Sequence, residues 1–264
     1  MKRIISTWCT SGLAAAALAW ASVSLPALAA DAQPTPEVME PRALDALQTM
    51  GSFLRAQKRL HINADSSTDQ VLDTGQVVQF SSHTDVLAVP PDKLRISVSH
   101  GAYRKTLYYD GKHFVVYDEG QRHYARGDAP PTIDALLDDM ARKYAVVLPL
   151  ADMLRWDTST AQAIGLTAAL YIDEEVIDQQ RCAHYAYRMP GADWQLWVRV
   201  GPQAIPCQLV IVRTDTPAMP RHTVRYQWLE EAALPPNAFA FFPPVGTQAV
   251  PLQVIAPRAQ ETTP

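Results

Sequence analysis

Residues suited to chemistry are spread thinly along this sequence. There are seven histidines in 264 residues. None meets a second four positions on with a glutamate between, the spacing that sets two imidazoles on one zinc ion. Neither a Gly-x-Ser-x-Gly elbow nor a glycine-rich phosphate cradle is present. His113 and His123 sit on neighbouring strands, but their register points them to opposite faces. Asp138 and Asp139 are adjacent in a helix and diverge by about 100°. Glu174 and Glu175 are adjacent in a strand and face opposite sides. His184 and His222 read as ordinary strand residues. Arg126-Gly127-Asp128 spells a cell-adhesion tripeptide, in what reads as a loop before two prolines, and spelling alone gives it no role. No catalytic residue, metal ligand or cofactor is assigned, and the chain is read as a non-enzyme.

Cysteine chemistry depends on the compartment, which the N-terminus indicates. Lys2 and Arg3 precede an apolar centre at residues 13–20. Ala27-Leu28-Ala29 is a small-x-small cleavage site, with the cut expected after Ala29 or Ala30. No cysteine follows the apolar centre to take a lipid. The expectation is a signal peptide over residues 1–29 and an exported, soluble, periplasmic protein. Losing Lys2 and Arg3 from 23 basic residues, against 27 acidic ones, leaves a net charge of −6. That argues against a nucleic-acid-binding surface, which needs a basic stripe, and more weakly against anionic membrane surfaces. Cys182 and Cys207 remain. An oxidising compartment favours pairing them. Strand register opposes it, placing them two strand spacings apart, ~9–10 Å, where a bridge needs Cα atoms within ~7 Å.

What remains is binding through apolar surface. Residues 104–126 read as three short strands on tight turns. With Asp110-Gly111 as a two-residue turn, Leu107 opposes Phe114 and Lys105 opposes Val116. One face then carries Leu107, Tyr109, Phe114 and Val116. The other carries Tyr108, Val115, Tyr117 and Tyr124. A sheet solvated on one side makes its second set polar, so both faces here need cover. Beyond Pro130-Pro131, Thr132 caps a helix whose stripe is Ile133, Leu136, Leu137, Met140 and Tyr144. The candidate ligand-binding residues are Leu107, Tyr109, Phe114 and Val116 from the sheet, with Leu136, Met140, Leu154 and Trp156 from the helix side.

The elements that position them follow from periodicity. Residues 30–41 form a proline-rich flexible leader. A helix over 42–60 carries Leu44, Leu47, Met50 and Leu54 on one stripe. Period-two segments at 60–72, 76–89, 94–100, 104–109, 113–118 and 121–126 are separated by breakers. Short helices follow at 132–144 and 150–156, with a turn at 158–164. Strands resume at 166–177, 182–189, 194–200, 207–214 and 222–230, and the tail over 251–264 is expected to fray. Hairpin-length turns imply an antiparallel meander. The fold class is therefore α+β, a strongly curved, unclosed antiparallel barrel of about 11 strands. An N-terminal helix and two or three mid-chain helices cover its concave face. One domain is expected over residues 42–250.

Several motifs follow one another in order: "ALDALQTMGSFLRAQ", "TDQVLDTGQVVQF", "PDKLRI", "YYDGKHFVVYD", "PPTIDALLDDMARKYAVVLPLADMLRW" and "DWQLWV". Together they resemble a family of predicted periplasmic proteins of Gram-negative bacteria, a domain of unknown function, from about Pro41 to Pro244. That family is similar in outline to the LolA/LolB lipoprotein-carrier superfamily, whose curved half-barrel and helical lid enclose an acyl-chain cavity. The "YDGKHFVVYD" hairpin is similar to an element common there. Arg95 and Arg104 both stand where the carriers' cavity arginine could fall, and neither is assigned that role. The resemblance implies the fold; the apolar sheet face and its helices carry the functional expectation, a monomeric periplasmic carrier or sensor that holds a lipid or acyl chain, extending to a lipoprotein, in a pocket between them. The alternative is an envelope interaction module with a transient protein partner and no ligand cavity.

Overall fold

The computed structural model describes residues 38–144, 165–229 and 234–252. The first helix, α1, spans Pro41–Ala56, with Pro41 in its first turn, where a missing N–H costs nothing. Its buried residues are Ala43, Leu47, Met50, Gly51 and Leu54. Leu47, Met50 and Leu54 of the expected stripe are buried, with Ala43 in place of Leu44, which is only partly buried.

Six strands follow: β1 Leu60–Val71, β2 Val77–Val89, β3 Lys93–His100, β4 Tyr103–Tyr109, β5 His113–Asp118 and β6 His123–Asp128. Helix α2 spans Ile133–Tyr144. Beyond it come β7 Ala168–Ile177, β8 Gln180–Met189, β9 Ala192–Arg199, β10 Pro206–Arg213, β11 Arg221–Trp228 and β12 Gln248–Ala249. The expected second mid-chain helix at 150–156, the turn at 158–164 and most of the tail lie outside the described residues. The tripeptide containing Gly127 lies in β6, not in a loop.

The strands form one sheet in the order β12-β6-β5-β4-β3-β2-β1-β11-β10-β9-β8-β7. Each half is a meander, as hairpin-length turns require, but the halves meet through β1 and β11. The chain therefore leaves the sheet at one edge after β6 and re-enters at the opposite edge as β7. The result is a large, curved, unclosed sheet, antiparallel except for the β12–β6 pair, with two helices among the described residues. The strand count is twelve where about eleven were expected, because two-residue β12 carries no period of its own.

Part of each sheet edge is paired, which blunts edge-to-edge association there. β12 lies along β6. At the other edge, the Glu40 amide donates to the Ala169 carbonyl at 2.8 Å, and the Ala169 amide donates to Val38 at 2.8 Å.

Strand alternation sorts the side chains. On one face, α1 packs on Tyr185, Tyr187, Trp194, Leu196 and Val198. On the same face, α2 packs on Leu94, Ile96, Leu107, Tyr109 and Phe114. Leu209 and Trp228 touch both clusters and join them. The opposite face of the second half holds a smaller core of Ile177, Cys182, Trp197, Cys207 and Val210.

Cys182 and Cys207 are bridged, with Cα atoms 6.6 Å apart. This overturns the register argument. Pro206 opposes Val198 and Gln208 opposes Trp197, so Cys207 is the extra residue of a β-bulge. The bulge bends β10 and brings the pair inside bridging range.

Candidate ligand-binding face

Helix α2 is placed by its first turn. The Thr132 hydroxyl accepts from the Ala135 amide at 3.2 Å, meeting an otherwise orphaned donor. The Ile133 amide donates to Pro91 at 2.8 Å. Tyr109, on β4, donates its phenol to the Pro130 carbonyl at 2.6 Å. Burial, with help from Asp92 and Asp110, pushes that phenol up to about 12, so it remains a neutral donor. From there the helix meets the sheet through Ile133, Leu136, Leu137 and Met140. Tyr144 closes the end, its ring 5.7 Å from that of Phe114.

Five of the sequence-predicted ligand residues therefore come together. Leu107, Tyr109, Phe114, Leu136 and Met140 are buried in one cluster, and Val116 packs against it partly buried. Leu154 and Trp156 lie outside the described residues. The contact between α2 and the sheet is closed: Leu136 and Tyr109 are both 0% exposed.

The facing sets are as expected, but each strand partner is shifted by two. Leu107 opposes Val116, Tyr109 opposes Phe114 and Tyr117 opposes Tyr124. The turn residues are Gly111 and Lys112 instead of Asp110 and Gly111. Asp110 Oδ1 accepts from the Lys112 amide at 2.9 Å and the His113 amide at 2.7 Å. Those bonds hold the Asp110 carboxyl below its usual value even though burial raises it. Gly111 supplies φ +89°, a conformation side chains avoid. A shift of two keeps every side chain on its own face.

The second face of β4–β6 is covered by a chain segment that sequence patterning missed. Phe241 sits among Tyr108, Tyr117 and Tyr124, with ring centroids 5.5, 5.1 and 5.2 Å away. Arg122 donates to the Val245 carbonyl, and the Gln248 amide donates to Arg122 at 2.9 Å. The signal was present in "AFAFFPP", a phenylalanine-rich run with no strand of its own.

Neither candidate arginine reaches the helix-covered face. Arg95 is on the opposite side, 3.2 Å from Asp85, whose other oxygen is 2.6 Å from His61. Arg104 alternates to that same side and lies 3.8 Å from Glu119.

Two open clefts also occur. One, of about 290 Å³, lies between α1 and the β7–β9 region, lined in part by Asp45, Thr49, Tyr185 and Val198. At its rim Arg42 stacks over Tyr171, 3.4 Å from the ring centroid. Burial raises the Tyr185 phenol there, with Arg42 opposing. The other, of about 420 Å³, is a serine-lined groove at the far ends of β1–β3.

Residues 43–253 match the family described as "Predicted periplasmic protein (DUF2092)". The chain belongs to that family. Its setting is accordingly the periplasm, and no helix among the described residues is long and apolar enough to cross a membrane. No curated protein matches the sequence. Similar solved structures include lipoprotein LppX of Mycobacterium tuberculosis, at 12% identity and TM-score 0.43, covering 74% of this chain and 98% of that one. LprF of Mycobacterium bovis shows 12% identity and TM-score 0.46, covering 75% and 98%. A LolA superfamily protein of Nitrosomonas europaea shows 11% identity and TM-score 0.38, covering 75% and 97%.

Proposed function

We propose that this protein is a periplasmic carrier or sensor that holds an apolar ligand between the concave side of the sheet and its helices. The ligand class is a lipid or acyl chain, including the acyl chains of a lipoprotein. The protein acts as a single domain over residues 42–250 and is not an enzyme. The observation that supports this reading is the underside of α2. Its buried side chains are Ile133, Leu136, Leu137 and Met140, seated on Leu94, Ile96, Leu107, Tyr109 and Phe114. An alkyl chain can replace such a contact, because each methylene taken from water returns ~0.8 kcal/mol whatever its exact position. Met140 adapts to variable shapes. Since the contact is sealed, entry requires α2 to lift, turning about Pro130-Pro131 at its tethered end.

The test is purification without detergent, lipid extraction and mass spectrometry, with binding of a fluorescent fatty acid as a second readout. A stoichiometric co-purifying lipid is expected. Leu136→Asp and Met140→Asp should lose lipid and fatty acid while the far-ultraviolet sheet signal remains. Unchanged retention in both folded variants would remove α2 from the site.

One observation favours a second reading. The same residues already fill the space between α2 and the sheet, which suits an interaction module that docks an envelope protein on its surface. Lipid-free protein that also ignores the fatty acid would select this reading.

A further inference from the structure

A β-bulge in β7 assembles a second site, far from α2 in the strand order. Tyr171 opposes Tyr185, yet Asp173 opposes His184, so Ile172 is an extra residue. Without it, Asp173 and Glu175 would follow Tyr171 onto the α1-covered face. With it they turn to the opposite face, where His184 stands. Bulges recur where a strand must re-aim side chains toward a site.

His184 Nδ1 lies 3.2 Å from Glu175 Oε1 and 3.6 Å from Asp173 Oδ1. One donor atom from each residue falls within 4.8 Å of the other two. Donors about 2.0–2.1 Å from a tetrahedral zinc ion are about 3.3 Å from one another, so the trio needs little movement to close on a metal. The imidazole is held from two other directions. Its ring stacks on Trp197, with centroids 4.0 Å apart and planes 10° from parallel. Its Nε2 is 3.1 Å from Gln195 Oε1. With that oxygen as acceptor, Nε2 carries a proton, and the neutral form of the ring then offers its Nδ1 lone pair on the side of the two carboxylates. A cation between them relieves the repulsion. Fixing the far nitrogen of a ligand histidine by a polar partner is the usual support for a metal ligand.

We propose that Asp173, Glu175 and His184 bind a divalent transition-metal ion, with Gln195 and Trp197 as positioning residues. Imidazole with carboxylates suits zinc-class ions over the oxygen-seeking calcium and magnesium. Three protein donors leave a coordination position open, and the bound ion would tie β7 to β8.

The proposal is independent of any ligand under α2. The untagged, chelator-treated protein is titrated with Zn²⁺ by calorimetry and with Co²⁺ by visible absorption. One equivalent of Zn²⁺ is expected to bind, in competition with Co²⁺, and neither Ca²⁺ nor Mg²⁺ should displace it. Asp173→Asn, whose side chain is 60% exposed, leaves the fold intact and should weaken binding at least ~10-fold. Gln195→Leu should weaken it about 10–100-fold, the usual effect of losing an outer partner. His184→Ala should abolish it, with circular dichroism as the folding control. An absence of saturable one-to-one binding in the parent protein would overturn the site and leave an imidazolium ion pair in its place. So would unchanged affinity in the folded Asp173→Asn variant.

Discussion

Gly127 shows how one residue carries a packing decision. A Cβ there would lie 2.8 Å from the Phe114 ring and 2.8 Å from Leu252. Its place in Arg126-Gly127-Asp128 is therefore explained by the interior of the sheet, with no adhesion role needed. Gly127→Ala should cost about 1–3 kcal/mol, the usual penalty of overpacking, read from urea midpoints at unchanged m. His222 offers a test by pH. It accepts or donates at 2.7 Å to the Thr68 hydroxyl across the β1–β11 seam. Burial lowers its pKa below the ordinary 6.5. The folded state thus takes up its proton later than the unfolded chain. Stability from this residue is fully present above pH 6.5 and falls as pH drops from there toward the folded value. Thermal melts between pH 7.5 and 5.5 should show that slope, and His222→Gln should flatten it.

Among the described helices, α2 is the one that a side chain caps. Thr132→Ala should cost about 1 kcal/mol of stability, measured by denaturant melts. The β8–β10 region is set by its disulfide, which closes a 25-residue separation. Reduction, or the double change Cys182→Ala with Cys207→Ala, should cost about 3 kcal/mol. Calorimetry in the presence and absence of reductant measures this. Elements were mostly legible in the sequence because alternation and breakers are local properties. The register of the β4–β5 hairpin slipped by two because an aspartate side chain, not the backbone alone, chooses the turn. The bulges at Ile172 and Cys207 left no local mark, since one extra residue in a period-two run looks like an ordinary irregularity. They decide both the disulfide and the Asp173–Glu175–His184 cluster.

On the scale of the whole molecule, the C-terminal segment seals what the helices do not. Phe241→Ala should expose Tyr108, Tyr117 and Tyr124 and cost about 2 kcal/mol, below the range for a fully buried phenylalanine. Denaturant melts and tyrosine accessibility to quenchers check it. Two meanders on a shared β1–β11 seam put α1 and α2 on the same face, although the helices are far apart in the chain.

Local chemistry alone decided several things: an exported chain, a net negative charge, strands in nearly their true places, and the apolar face of Leu107, Tyr109, Phe114, Leu136 and Met140. These follow from periodicity and composition, which act between near neighbours. Only the tertiary structure decided that Phe241 covers the second face, that Cys182 reaches Cys207, and that Asp173, Glu175 and His184 meet. Each depends on a bulge or a long return of the chain, where distant residues share space that no sequence window contains.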